Sequence, residues 1–202
     1  MKIALISSPN FKSEEDKILV NLFNAGLEKF HLRKPEHPAS RIASLLNKIP
    51  SEFHSRIVLH RAHELMNDYK LGGYHHRSDE KLKEVEGSRS RSLHRISELK
   101  VENDLLDYVF IGPVFSSISK AGRKPKISLS ALSNAIEELD INARRPLVYA
   151  LGGIRKNKIS TIIECGFDGV ALLGSIWGKP DPVRAFKEFN SSIKSFEIQK
   201  NW

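Results

Sequence analysis

At 202 residues the chain is long enough for one large core or two small ones, and no tandem repeat, linker or low-complexity segment marks a second domain. The net charge of +8 and a pI near 9.6 invite a polyanionic partner, but the basic residues are spread out and no nucleic-acid motif accompanies them. Steering of phosphorylated small molecules explains the same charge, so neither nucleic acid nor a membrane is expected as a partner, and homo-oligomerisation is left open.

Lys2 to Ser7, with an unbroken apolar block from Ile3 to Ile6, reads as a first strand. It is too short for a signal peptide, and no apolar run approaches membrane-spanning length, so a cytoplasmic protein is expected. Ser8-Pro9-Asn10 turns the chain, and Ser13 with Asp16 resembles a capping box opening a helix that Gly26 ends. Lys29–Arg33 is the second strand, Pro38–Lys48 a helix, and Arg56–His60 the third strand. A helix through Ala62, Leu65 and Met66 leads to a fourth strand, Leu71–His76. Asp79 to Val85 reads as a helix, and Ser90–His94 as a weak fifth strand. A helix through Ile96, Leu99 and Val101 precedes the apolar run Tyr108–Ile111, which suits a strand buried on both faces and stops at Gly112-Pro113.

The long connection after that sixth strand holds Ser116, Ser117, Ser119 and Lys120, and hydroxyls beside a compact ammonium can bind phosphate. A helix over Ala131–Leu139, a seventh strand at Leu147–Leu151, and a helix over Lys156–Cys165 follow. Cys165, the single cysteine, excludes an internal disulfide and fits a reducing compartment. Before Gly166 at a helix end it reads as a structural thiol rather than a nucleophile. Gly169–Gly174 is the eighth strand and Pro182–Phe189 the closing helix. Eight strands alternating with helices imply parallel pairing and right-handed crossovers. They close most simply into one (β/α)8 TIM barrel domain spanning residues 1–202; an open doubly wound sheet fits the even spacing less well.

Active sites of such barrels lie at the C-terminal ends of the strands. Read that way, His31, Arg33, His60, His75, Ser92 and His94 come together, with the hydroxyl loop after strand six. Several histidines at one rim make a titrating group there expected. Gly152-Gly153 and Gly174-Ser175 follow strands seven and eight, the usual phosphate position, where backbone N–H groups can approach the oxygens.

With those residues in place the chain resembles the thiamine phosphate synthase / TenI family. His31-Leu-Arg33 is similar to its Gln-Leu-Arg strand end, Gly73-Tyr-His75 to its Gly-Val-His, and Ser92-Leu-His94 with Glu98 to its Ser-x-His…Glu. Asp107-Tyr-Val-Phe-Ile-Gly-Pro-Val-Phe115 resembles Asp-Tyr-x-x-x-Gly-Pro-x-Phe, and Ser117-Ile-Ser119-Lys120 resembles Thr-x-Thr-Lys. Ala150–Ile154 and Gly166–Ala171 are similar to the last two strand signatures.

The resemblance implies an enzyme of thiamine biosynthesis that joins an aminopyrimidine methyl diphosphate to a thiazole phosphate and releases diphosphate with Mg²⁺. It implies that Gly152, Gly153, Gly174 and Ser175 hold the thiazole phosphate. It places Arg33, Ser92, Ser117, Ser119 and Lys120 around the diphosphate, with Lys120 catalytic and His31 and His75 binding substrate. Asp79, of the pair Asp79-Glu80, is the candidate metal ligand. The chain departs from the pattern at Arg33-Lys34-Pro35, where the family lysine is displaced. It departs also at His60-Arg61, where the family has Asn and a metal-binding Asp. A TenI-like thiazole tautomerase is the alternative, with His94, His60 or His31 as acid/base, although Pro113 stands where that branch carries its histidine. A non-catalytic binder of thiazole or thiamine phosphate is the other.

Overall fold

The computed structural model describes residues 1–100, 105–116, 127–140 and 145–200. Eight strands pair in sequence order, each parallel to the next, and β8 returns to β1 to close a barrel. They are β1 (Lys2–Ile6), β2 (Lys29–Leu32), β3 (Ile57–Leu59), β4 (Gly73–His76), β5 (Ser88–Leu93), β6 (Tyr108–Ile111), β7 (Leu147–Leu151) and β8 (Gly169–Leu172). The closure aligns Ala4 with Ala171 and Leu5 with Leu172. The expected (β/α)8 class is therefore the observed one.

The two-residue period of a strand explains how apolar runs make both layers. One set of positions, including Phe30, Leu32, Ile57, Leu59, Val109, Ile111, Val148 and Val170, packs outward under the helices. It meets Leu19, Leu22 and Phe23 of α1 (Glu15–Asn24), Ile42 of α2 (Ala39–Leu46), and Met66 of the one-turn α3 (Leu65–Asp68). Leu132 and Ile136 of α4 (Leu129–Asp140), Ile159 and Ile162 of α5 (Ile159–Glu164), Ile176 and Trp177 of the one-turn α6 (Gly174–Trp177), and Phe186 and Phe189 of α7 (Pro182–Lys200) complete the shell. The inner set divides in two. β1, β6, β7 and β8 contribute Ala4, Ile6, Tyr108, Phe110, Tyr149 and Ala171. β2 to β5 and the residue after β3 supply the polar side: Lys29, His31, His60, His75, Ser88, Ser90 and Ser92.

Three local expectations are corrected. No helix forms over Asp79–Val85: the Lys83 N–H donates to His76 Nε2 at 2.9 Å, so an imidazole takes an amide that a helix would give to a backbone carbonyl. The Ser13–Asp16 capping box is absent. The N-cap is Glu14 in the left-handed region, with no side-chain cap bond, and the Lys12 N–H is taken by Glu15 at 3.0 Å. Between β5 and β6 the described residues form a 3-10 turn at Ile96–Lys100 rather than an α-helix. The sequence reading also passed over α6, whose Trp177 Nε1 donates to the Ile6 carbonyl at 2.8 Å and so fastens the end of the barrel wall to β1.

Lys34 is accounted for by packing. Its ammonium is fully buried, 2.7 and 2.8 Å from the two Glu15 carboxylate oxygens, and donates to the carbonyls of Ser8 and Asn10 at 2.9 and 3.0 Å. It also lies 4.6 Å from the centre of the Phe11 ring. The lysine after β2 thus holds the β1–α1 connection and is not offered to the site.

Candidate active site

Parallel pairing brings all the C-terminal strand ends to one rim, and inward residues near that rim can meet across the barrel. His31 in β2 is buried. Its Nδ1 lies 2.9 Å from His60 Nε2 and its Nε2 lies 2.8 Å from the Tyr108 hydroxyl. His60, half-buried just past β3, stacks on His75 at 4.2 Å between ring centres. The two nitrogens of His75 meet Ser90 Oγ at 2.8 Å and Ser92 Oγ at 2.9 Å. Phe110 closes the inner side, 4.6 Å from the His31 ring and 5.0 Å from that of His75.

Burial sets the charge of this cluster. It pushes His75 down to about 3, and the neighbouring His76 ring and the Arg33 and Arg91 guanidiniums also oppose a proton there. It pushes His31 and His60 well below the ordinary histidine value, and each ring disfavours a proton on its neighbours. All three are neutral imidazoles at pH 7, able to accept or donate hydrogen bonds or to ligate a metal, but not to act as fixed cations.

Arg33 is exposed beyond β2, and its charge reaches His60 and His75. Its backbone N–H donates to Ser7 Oγ at 2.8 Å, and the Ser7 hydroxyl donates back to the Arg33 carbonyl at 2.9 Å, which fixes where the side chain leaves the rim. The Gly152-Gly153 turn has φ +94° and +67°, and a Cβ on Gly153 would lie 2.7 Å from the carbonyl oxygens of Phe115 and Ser116. Only glycine lets the segment after β7 pass this close to the segment after β6, to which it is joined by Phe115 N–H to the Gly152 carbonyl at 3.2 Å. Gly174 opens α6, with Ser175 half-buried beside it. Ser117, Ser119 and Lys120 lie outside the described residues.

His94 stands apart from the other three histidines. It is exposed past β5, with Nδ1 3.3 Å from the Gly112 carbonyl. Its N–H donates to Glu98 at 2.7 Å. Burial works to raise the Glu98 carboxyl, but the N–H groups of His94 and Arg95 and the Arg95 guanidinium together hold it below the ordinary value. The His…Glu spacing of the sequence is thus a backbone staple. His94 and Glu98 line a cavity of about 1000 Å³ with Asp79, Ile127 and Ser128, and none of His31, His60 and His75 is among its lining residues.

Asp79 is exposed, and both its oxygens take the Arg77 guanidinium, at 3.1 and 2.9 Å. Glu80 accepts from Lys83 at 2.8 Å and from the Arg77 N–H at 3.2 Å. Arg61, two residues past β3, is exposed and turns its guanidinium to the Pro35 carbonyl. Mg²⁺ needs hard oxygen ligands. A cation after β3 and acidic groups already engaged by Arg77 and Lys83 do not fit a resident Mg²⁺, and no step is assigned to one. Tyr108, Phe110 and Ser90 were missed as site residues. The alternation Ser88-Arg-Ser90-Arg-Ser92 was a readable signal, since period two puts all three serines on one face.

A closed parallel barrel, with convergent polar side chains at the rim, a glycine turn after its seventh strand and Gly174-Ser175 opening a short helix after its eighth, is of the class of (β/α)8 barrel enzymes. Within that class, the family profile described as "Thiamine monophosphate synthase" matches residues 3–176, and the chain belongs to this family. It is similar to a thiamine phosphate pyrophosphorylase structure from Bacteroides thetaiotaomicron, at 32% identity, with a TM-score of 0.82, over 96% of this chain and 98% of that one. A pyrophosphorylase structure from Pyrococcus furiosus, at 18% identity and TM-score 0.78, shares the fold over 96% of both chains. Among sequences, the thiamine-phosphate synthase of Methanococcus maripaludis is 23% identical over 97% of this chain and 96% of its own length.

Proposed function

We propose that the chain is a thiamine-phosphate synthase, joining an aminopyrimidine methyl diphosphate to a thiazole phosphate and releasing diphosphate. The observation that carries this reading is the family match over residues 3–176, which reaches all eight strands of the barrel. In the reaction the bond from the pyrimidine methylene carbon to the diphosphate oxygen breaks, and the thiazole nitrogen takes that carbon. Negative charge builds on the leaving diphosphate. Arg33, Ser92, Ser117, Ser119 and Lys120 supply the cation and hydroxyl donors that stabilise it. The Gly152-Gly153 turn after β7 and Gly174 after β8, with Ser175, hold the thiazole phosphate through backbone N–H groups. The soluble, phosphorylated substrates suit a cytoplasmic enzyme, and no described helix is long and apolar enough to cross a membrane.

The test is a coupled assay with aminopyrimidine diphosphate and thiazole phosphate, run with Mg²⁺ and with chelator, on the natural chain and on Lys120→Ala. Thiamine phosphate from the natural chain, reduced at least tenfold in Lys120→Ala, is the expected result. No product together with saturable thiazole phosphate binding would replace the synthase with a binder, the reading that Arg61 in place of a carboxylate favours.

A further inference from the structure

His31 and His75 are buried and His60 is half-buried beside them, and their arrangement is that of a metal site. We propose that His31, His60 and His75 bind one divalent ion of the zinc class, each through one ring nitrogen, with an anion in the fourth position. Ring nitrogens of the three lie within 4.8 Å of one another. A tetrahedral ion with bonds of about 2.0–2.1 Å sets its nitrogen ligands roughly 3.3 Å apart. His31 and His60 already stand at 2.9 Å, so small ring movements complete the set.

The backbone fixes these positions. His31 pairs in register with Val58, and Val58 with Gly73. His60 and His75 each stand two residues further on, and the two-residue period of a strand turns both to the inner face that His31 occupies. The ligands come from three adjacent parallel strands or their ends, a rigid platform rather than a loop.

Outer partners are also present. The second nitrogen of His31 meets the Tyr108 hydroxyl, and whichever nitrogen His75 gives to the ion, the other keeps a serine, Ser90 or Ser92. Such partners fix tautomer and ring orientation in metal sites. Three imidazoles with no carboxylate favour Zn²⁺, Cu²⁺, Co²⁺ or Ni²⁺ over Mg²⁺. A dication beside Arg33 is electrostatically opposed, so the fourth ligand is an anion, either hydroxide or a phosphate oxygen. It enters from the rim, the side on which His60 is half exposed. The phosphate option rests on the proposed function; ion binding itself does not.

The full chain, stripped with chelator, would be titrated with Co²⁺ and read by visible absorption. The expected result is ligand-field bands saturating at one ion per chain, abolished by equimolar Zn²⁺ and untouched by the same concentration of Mg²⁺. Tyr108→Phe, which removes the hydroxyl on the second nitrogen of His31, should weaken Zn²⁺ binding about tenfold, as loss of an outer partner does. His60→Gln, checked for folding by its melting curve, should abolish the bands and weaken Zn²⁺ by more than the roughly 100-fold upper range for an outer partner. Absence of stoichiometric bands, or their survival in His60→Gln, overturns the proposal. Because the readout is not turnover, a protein that makes thiamine phosphate without these bands would sink this inference alone.

Discussion

Replacing Lys34 by Met removes an ammonium while keeping an unbranched side chain in the same space. Lys34 and Glu15 are 0% and 2% exposed, so the Glu15 carboxylate would be left in the interior with, among the described residues, the Lys12 N–H as its remaining partner. Removing one member of a buried ion pair costs about 3–5 kcal/mol. In a chain of this length each kcal/mol lowers the melting temperature by roughly 2–4 °C, so a drop of roughly 6–20 °C is expected. Glu15→Leu in the same background removes the stranded carboxylate, and the double variant should recover most of the loss. The measurement is thermal and urea unfolding of the natural chain, both single variants and the double. A loss below about 1 kcal/mol in Lys34→Met, or a double variant no more stable than the single, would refute the assignment of Lys34 to packing and reopen a role at the site.

Gly153→Ala should destabilise the fold by at least the roughly 1–2 kcal/mol of a left-handed backbone. The added Cβ also meets the Phe115 and Ser116 carbonyls, so binding of thiazole phosphate should fall at least tenfold by calorimetry; unchanged melting and binding would show that the turn is not held as described. Cys165 is half-buried, and burial, followed by the nearby Glu164, pushes its thiol up. Its reaction with a disulfide reagent should therefore be slower than that of free glutathione at pH 7 and accelerate above pH 9. Fast labelling at neutral pH would contradict the environment described.

Most of the barrel was legible because its strands are short apolar runs buried on both faces, such as Tyr108–Ile111 and Leu147–Leu151, each ended by glycine or proline. β5 was weak for a physical reason: its inner face is serine, so apolarity could not mark it. The segment after β4 has helical spacing, but His76 captures an amide of Lys83 that the helix required, a tertiary contact that spacing does not carry. At the site, reading strand ends was enough to gather His31, His60, His75 and Ser92. It could not separate them from His94, which lies one residue past β5 and turns to the Gly112 carbonyl instead of inward. Nor could it show that Lys34, adjacent to Arg33 in sequence, points away to Glu15.

The split lining of the barrel has a consequence for how the protein can diverge. The aromatic and aliphatic wall from β6 through β8 to β1 packs as a cluster of its own, whereas the opposite wall presents imidazoles and hydroxyls. A descendant could therefore exchange side chains along β2 to β5 and acquire new ligand preferences while the other wall kept the cylinder standing. Variation among relatives would then run down one side of the axis, like a keyboard mounted on a fixed frame.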